Sequence, residues 1–287
     1  MIQRERVSDN VYVFQSELYA QVNSGVVVGS DWAVAIDTLS FPEETLEIRD
    51  FVEQELQVPI RYVINTHYHA DHAWGNCFFP GAIVISHKIC RDFLEQRGKP
   101  SMDETRRNNS SYSKSRIVLP QMTFSEGELS LKVDKKTLTL FRLPGHSSDG
   151  IGVFNVEDRI LFSGDLFMPL PYLVDGDIEE MINSFKIIRK MGIENIVQGH
   201  GEVILRGEVE GTIDSHLAYL SNIRKRVRQA GRRKFPGDLL ETIDVESCGK
   251  SRVILGGLAE DLHQMNLMAL YEQLYGEPPA FSDEDAW

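Results

Sequence analysis

Residues 60–76 read Ile60-Arg61-Tyr62-Val63-Ile64-Asn65-Thr66-His67-Tyr68-His69-Ala70-Asp71-His72-Ala73-Trp74-Gly75-Asn76. The run from Ile60 to Ile64, rich in β-branched and aromatic residues, predicts a buried strand. It stops at Asn65-Thr66, and four potential metal ligands follow within six positions: His67, His69, Asp71 and His72. In an extended or loosely turned segment, residues two apart share a side, so His67, His69 and Asp71 converge. His72 then points toward a second centre. One metal has no use for four ligands divided in this way, whereas two neighbouring metals do. The bland alternative is a set of solvated loop histidines, but three of the chain's eight histidines fall within these six residues. Neutral imidazole is the commonest metal ligand, and carboxylate oxygen suits the same ions.

Three further segments repeat one device. Leu143-Pro144-Gly145-His146-Ser147 ends a predicted strand in a tight turn, Ser163-Gly164-Asp165 does the same after Ile160-Leu161-Phe162, and Gln198-Gly199-His200-Gly201 does it again. Each candidate ligand directly follows a glycine, which lets the backbone bend sharply. A single Gly-Asp after a strand is usually only a turn. In this order, behind the first motif, the three together are specific.

The pattern His-x-His-x-Asp-His after a strand, with these three segments following, resembles the metallo-β-lactamase superfamily. The resemblance covers roughly residues 8–204. It implies an α/β fold, the αββα four-layer sandwich of that family, here with a C-terminal helical extension. It assigns His67, His69 and His146 to one metal and Asp71, His72 and His200 to the other, with Asp165 bridging both. All seven positions carry the expected ligand type. His69 stands where oxygen-reducing diiron relatives place Glu. Asp165 supplies the bridging carboxylate that true β-lactamases generally lack, which points toward the glyoxalase-II-like, lactonase-like and nuclease-like branches. The donor set suits two Zn²⁺ per chain first, with Fe or Mn as alternatives.

Two cations about 3.5–4 Å apart share one hydroxide, because coordination lowers the pKa of water from ~15.7 to ~7. Such a hydroxide attacks a carbonyl or a phosphorus while the far ion stabilises the developing oxyanion. Asp71 is the candidate catalytic residue, orienting the hydroxide and carrying a proton to the leaving group. Thr66, Asp37 and Ser147 are candidate outer partners of the histidines.

The substrate is less legible. Glyoxalase-II-like thioesterases follow the bridging Asp with a Gly-Cys-Gly-Arg-type segment, and quorum-signal lactonases place Tyr three residues after it. This chain has Leu166-Phe167-Met168-Pro169-Leu170-Pro171-Tyr172-Leu173. Phe167, Met168 and Tyr172 are the candidate substrate contacts in an apolar wall that serves equally well as core packing. The expectation is a hydrolase of a small or medium-sized ester, thioester or lactone. The alternatives are a β-lactamase-like amide hydrolase, a phosphodiesterase or nuclease, and a regulatory metal-binding module.

The rest of the chain frames this reading. With 287 residues, 42% hydrophobic and 25% charged, it is long enough to bury a sizeable core. A net charge of −13 disfavours nucleic acid and other polyanions. Cys77, Cys90 and Cys248 show no paired spacing, which predicts a reducing compartment. Charged residues at 4–6 and the lack of an apolar run of about 18 residues predict neither signal peptide nor spanning helix, hence a cytoplasmic protein acting on a small molecule.

Strands are predicted at 11–14, 24–28, 32–37, 82–85, 129–133, 137–143, 151–155, 160–163 and 193–198, and helices from Pro42 to about Gln57 and over 177–191. Ser86 is expected to cap a helix reaching about Gln96. Residues 97–116 read as a loop or frayed helix. Residues 1–206 form the expected catalytic domain and 207–287 the helical extension. Its apolar stripes are Val209, Ile213, Leu217, Leu220 and Ile223, then Ile254, Leu258, Leu262, Met265 and Leu270. A homodimer face is one use for it. The cations Arg224, Lys225, Arg226, Arg228, Arg232, Arg233 and Lys234 read as complement to a helix C-terminus in preference to an anion patch. The acidic tail 277–287 reads as frayed.

Overall fold

Alternation of apolar side chains is what builds the first sheet. The computed structural model describes residues 2–282. Seven strands lie side by side in chain order: β1 (Ile2–Ser8), β2 (Val11–Ser16), β3 (Asn23–Val28), β4 (Ala33–Ile36), β5 (Ile60–Ile64), β6 (Ile83–His87) and β7 (Met122–Phe124). The first four pair antiparallel and the last three follow β4 in parallel. A second sheet has the order β12-β11-β10-β9-β8, from β8 (Glu128–Val133), β9 (Lys136–Arg142), β10 (Ile151–Asn155), β11 (Ile160–Gly164) and β12 (Asn195–Gln198).

Successive residues of a strand face opposite sides. Val27, Val34, Ile36, Ile64 and Ile85 therefore enter one buried cluster with Leu138, Leu140, Val153, Ile160 and Phe162 of the second sheet. Their chain neighbours Val26, Val28, Ala33, Ala35 and Val63 enter another, against Ile48, Phe51 and Val52. That second cluster covers the sheet with α1 (Pro42–Asp50) and its continuation Phe51–Glu55. A strand buried on both faces reads as an unbroken apolar run, which is why β4 and the end of β3 at residues 26–28 are visible in the sequence.

The chain divides into two compact units. The first holds Met1–Leu143, Asp149–Gly164 and Ile193–Arg206, hence both sheets. It also contains α2 (Ala70–Ala73), α3 (Lys88–Phe93) and α4 (Lys99–Asn108). The second holds Pro144–Ser148, Asp165–Gly192 and Gly207–Trp287. Its helices are α5 (Ile178–Lys190), α6 (Val209–Ala230), α7 (Pro236–Leu240) and α8 (Ala259–Tyr275). α5 is capped by Asp177, whose carboxylate accepts from the Glu179 and Glu180 amides at 2.8 Å each.

Several local expectations need correction. β1 forms from the charged residues near the start of the chain, whose side chains stay outside while the backbone extends the sheet along β2. Charge on an edge strand hides it from a periodicity reading and also guards the edge. The helix at 88 is capped by His87, whose Nδ1 accepts from the Ile89 amide at 3.2 Å; Ser86 instead donates to the Asn65 carbonyl. Residues 99–108 are helical despite their polarity.

The stripe on α8 is rotated from the expected one. Leu258 and Met265 are exposed, and the buried face carries Ala259, His263, Asn266, Leu267, Leu270 and Tyr271. Two polar residues, His263 and Asn266, sit in that face because each hydrogen-bonds the buried Tyr219 hydroxyl, which apolar counting misses. Leu255, Gly256 and Gly257 adopt left-handed backbone, so the helix begins at Ala259 and not at Ile254, where the expected stripe starts. The described start of the acidic tail is tied down, with the Gly237 amide donating to the Ala280 carbonyl; residues 283–287 lie outside the described residues. All three cysteines are free. Among the described residues no helix is long and apolar enough to cross a membrane.

Candidate metal centre

The motif leaves β5 at Ile64 and does not stay extended. His69 stands at the N-cap of α2, so Asp71 and His72 lie on a helical turn. This differs from the loosely turned segment expected above, and it redistributes the ligands. His67 Nε2 faces His69 Nδ1 at 3.1 Å. Asp71 Oδ2 lies 3.3 Å from His200 Nε2 and 3.8 Å from His72 Nε2. Asp71, His72 and His200 each offer a ligand atom within 4.8 Å of the others'. The His67 and His72 rings are 4.3 Å apart, which makes the pair and the triad neighbours. All five residues belong to the first unit. In the second unit, His146 Nε2 lies 3.4 Å from Asp165 Oδ2, and both residues are about 5% exposed.

What holds the imidazoles is as informative as where they point. Asp37, at the end of β4, is buried with left-handed backbone (φ +58°). Its Oδ2 lies 2.9 Å from His72 Nδ1 and accepts from the Thr66 hydroxyl at 2.7 Å, while its Oδ1 accepts from the Thr66 amide at 2.8 Å. The Thr66 hydroxyl, having given its proton to Asp37, accepts from His67 Nδ1 at 3.1 Å. One carboxylate therefore orients two motif histidines, one directly and one through a hydroxyl. Burial pushes the Asp37 carboxyl up, and the neighbouring His72 and the Thr66 bonds pull it back.

The other anchors are backbone carbonyls: Ala20 for His200 Nδ1 at 2.8 Å and Tyr172 for His146 Nδ1 at 3.0 Å. A carbonyl or carboxylate only accepts, so each Nδ1 carries the proton and each Nε2 presents a lone pair inward. Imidazole lone pairs gathered with a carboxylate, each tied on its outer nitrogen, are the donor chemistry of a divalent-metal site.

Glycine is required next to two of these groups. Gly164 has φ +50°, and a Cβ there would come within 2.6 Å of Thr66 Oγ1. Gly145 has φ +145°, and a Cβ there would meet Met181 Cα at 2.5 Å. Of the expected outer partners, Asp37 and Thr66 touch the histidines, whereas the Ser147 hydroxyl is buried without a hydrogen bond among the described residues. The carbonyls of Ala20 and Tyr172 escaped the sequence reading because every residue has a carbonyl.

The apolar segment after Asp165 divides. Phe167 is fully buried against Phe185 and His216, and Met168 is buried as well. Such side chains meet no ligand without repacking. Tyr172 is half-buried, its ring tilted over His146 with centroids 5.9 Å apart. In the basic run, Arg224 pairs with Glu179 at 2.7 Å, and Arg228 lies in the last turn of α6.

Comparison with known proteins agrees with this chemistry. The family model of the metallo-beta-lactamase superfamily matches residues 19–200. This chain belongs to that superfamily. The beta-lactamase-like protein 2 homolog of Caenorhabditis elegans is 26% identical over 170 residues, which is 59% of this chain and 50% of that protein. The acyl-coenzyme A thioesterase MBLAC2 of Homo sapiens is 26% identical over 234 residues, 74% of this chain and 79% of that protein. The chain thus spans half the length of the first relative and most of the second. Among solved structures, a metallo-beta-lactamase from Pontibacter korlensis superposes with a TM-score of 0.62 at 18% identity, covering 75% of this chain and 98% of that one. The superfamily's mixed α/β fold with two sheets is thus present here, followed by helices that run to Tyr275.

Proposed function

We propose that this chain is a dinuclear, metal-dependent hydrolase of small or medium-sized carbonyl esters, with thioesters as the leading class. The observation that carries the reading is the anchoring of His72 and His67 by Asp37. An imidazole tied on its outer nitrogen toward an anion is arranged to meet a cation, and a solvated loop histidine is not. On this reading His67, His69 and His146 hold one ion, Asp71, His72 and His200 hold the other, and Asp165 serves both. Zinc is the first candidate for such nitrogen and oxygen donors, and iron or manganese suits them too. When bound, such ions supply a water whose pKa falls from ~15.7 to ~7 and polarise the substrate's carbonyl oxygen.

The chain's own residues do the rest. Asp37 and Thr66 keep the motif imidazoles in one tautomer, so that no proton has to move before a ligand nitrogen is available. Asp71 retains 14% side-chain exposure, enough to reach substrate and water. On this reading it orients the attacking water and passes its proton to the leaving group. A thiolate leaving group, with a parent pKa of ~8.5, needs less help from that proton than an alkoxide does. The printed activity of the human relative, an acyl-coenzyme A thioesterase, favours the same class. Residues 207–287 are read as a helical extension to a catalytic domain of residues 1–206.

Turnover by zinc-loaded protein on a panel tests the proposal: acyl thioester, lactone, aryl ester, β-lactam and bis-aryl phosphodiester, each with a chelator control. Chelator-sensitive cleavage led by the thioester is the expected result. Preference for the β-lactam or the phosphodiester would overturn the substrate class, and turnover indifferent to chelator would overturn the metal dependence.

A further inference from the structure

Within the second unit, one buried amide on α8 bonds the backbone on either side of the carbonyl that faces His146 Nδ1. Residues 171–173 belong to no helix or strand, so no ladder of backbone bonds holds them. Asn266, fully buried, holds them instead. Its Nδ2 donates to the Pro171 carbonyl at 2.7 Å, and its Oδ1 accepts from the Leu173 amide at 2.7 Å. One side chain thus grips the backbone on both sides of Tyr172, whose own carbonyl accepts from His146 Nδ1. The neighbouring helix residue, Met265, accepts from the Tyr172 hydroxyl at 3.4 Å.

The orientation of the Asn266 amide is itself determined. His263 Nε2 lies 3.1 Å from the Ile243 carbonyl, an acceptor, so that nitrogen carries the proton and Nδ1 is a lone pair. The Tyr219 hydroxyl, 2.9 Å from Nδ1, therefore donates to it. Its oxygen then accepts from Asn266 Nδ2 at 3.0 Å. A flipped amide would set its oxygen against the Pro171 carbonyl and its NH₂ against the Leu173 N–H. The row from Ile243 through His263, Tyr219 and Asn266 to the backbone around Tyr172 thus has one sense only, and every member is satisfied.

We propose that Asn266 is a positioning residue for the metal centre: by fixing the Tyr172 carbonyl it fixes the ring direction and tautomer of His146, which makes α8 part of that centre. The inference rests on His146 being a ligand, as proposed above. The group that Asn266 fixes, the Tyr172 carbonyl, is a direct partner of His146, and the loss of such a partner changes metal affinity by about 10–100-fold.

The test is a zinc titration of the full chain against a chromophoric chelator, in wild type, Asn266→Leu, Asn266→Asp and Tyr219→Phe. Circular dichroism and histidine ¹⁵N spectra accompany it. Wild type should bind two ions. In Asn266→Leu one of them should weaken by about 10–100-fold with the other unchanged, and one histidine should pass from a single tautomer to a mixture. Tyr219→Phe, which keeps both backbone bonds of Asn266, should show the smaller effect.

If Asn266→Leu does not fold, Asn266→Asp decides on the same readouts, since it keeps the shape and loses the donation to Pro171. A folded variant with both affinities and all tautomers unchanged would overturn the inference, as would equal weakening of both ions in step with melting temperature. Wild type that binds no zinc would overturn the metal reading itself, and this inference with it.

Discussion

Replacing Asp37 with Asn separates the stability of the fold from the competence of the site. The carboxylate accepts three hydrogen bonds, at 2.9, 2.8 and 2.7 Å. An amide keeps one, from the Thr66 N–H to its oxygen, and turns an NH₂ toward His72 Nδ1 and the Thr66 hydroxyl. Two bonds to a charged acceptor, each contributing about 1.5–3 kcal/mol, are lost, so about 3–6 kcal/mol is removed. Against this, the chain no longer buries an anion. Asp37 is 3% exposed, and burial is the largest influence on its carboxyl, so the recovered dehydration energy offsets much of the loss.

Melting of the metal-free protein should therefore move by only a few degrees, while zinc affinity falls about 10–100-fold, or ~1.4–2.8 kcal/mol, because His72 and His67 lose the group that fixes their tautomers. Chelator-competition titration beside thermal denaturation in excess chelator measures both quantities. Unchanged zinc affinity in a folded Asp37→Asn protein would refute the argument that this carboxylate orients the ligands. A loss of affinity matched by an equal loss of stability would reduce Asp37 to a packing residue.

Other outcomes follow from the same contacts. Gly164→Ala should lower stability by about 1–2 kcal/mol from its left-handed backbone alone, and its Cβ, at 2.6 Å from Thr66 Oγ1, should also loosen the bond to Asp37; denaturant melts and zinc titration read the two effects, and a silent variant would contradict the close approach. His69→Ala should abolish chelator-sensitive hydrolysis with the circular dichroism spectrum retained, and residual turnover would sink the proposed site.

His216, packed between Phe167 and Phe185, is held neutral by burial and by the Lys250 ammonium 2.9 Å away. Its folded pKa lies below its unfolded value, so it contributes stability that is present above pH 6.5 and lost as pH falls below it. His216→Phe should flatten that acid limb in melts run from pH 5 to 8, and an unchanged limb would exclude His216 as its source. Lys250, pushed down to about 8 by burial, disfavours the folded state while it is charged. Stability should therefore rise as pH climbs from about 8 toward 10.5, and Lys250→Met should remove that rise in the same experiment.

The sequence by itself determined whatever depends on neighbours along the chain. β4 and the apolar ends of β3 and β5, residues 26–28 and 63–64, are legible because burial on both faces leaves only Val, Ile and Ala there. The ligand candidates are legible because they end strands at glycines and crowd into six positions. β1 and α4 were not, since an edge strand and an exposed helix carry charge where a buried element carries Val or Leu. Nor was the helical turn that starts after His69, which four residues are too few to announce.

Tertiary structure alone decided what holds the imidazoles. Asp37 meets His72 across 35 positions of chain, Ala20 offers His200 a carbonyl across 180, and Asn266 reaches Pro171 and Leu173 across more than 90. A backbone carbonyl has no side-chain signature, and a buried Asn reads as a flaw in an apolar stripe until its partners are known. Hydrogen-bond satisfaction is a property of the folded chain: each of these groups becomes favourable inside only when a distant segment arrives to complete it.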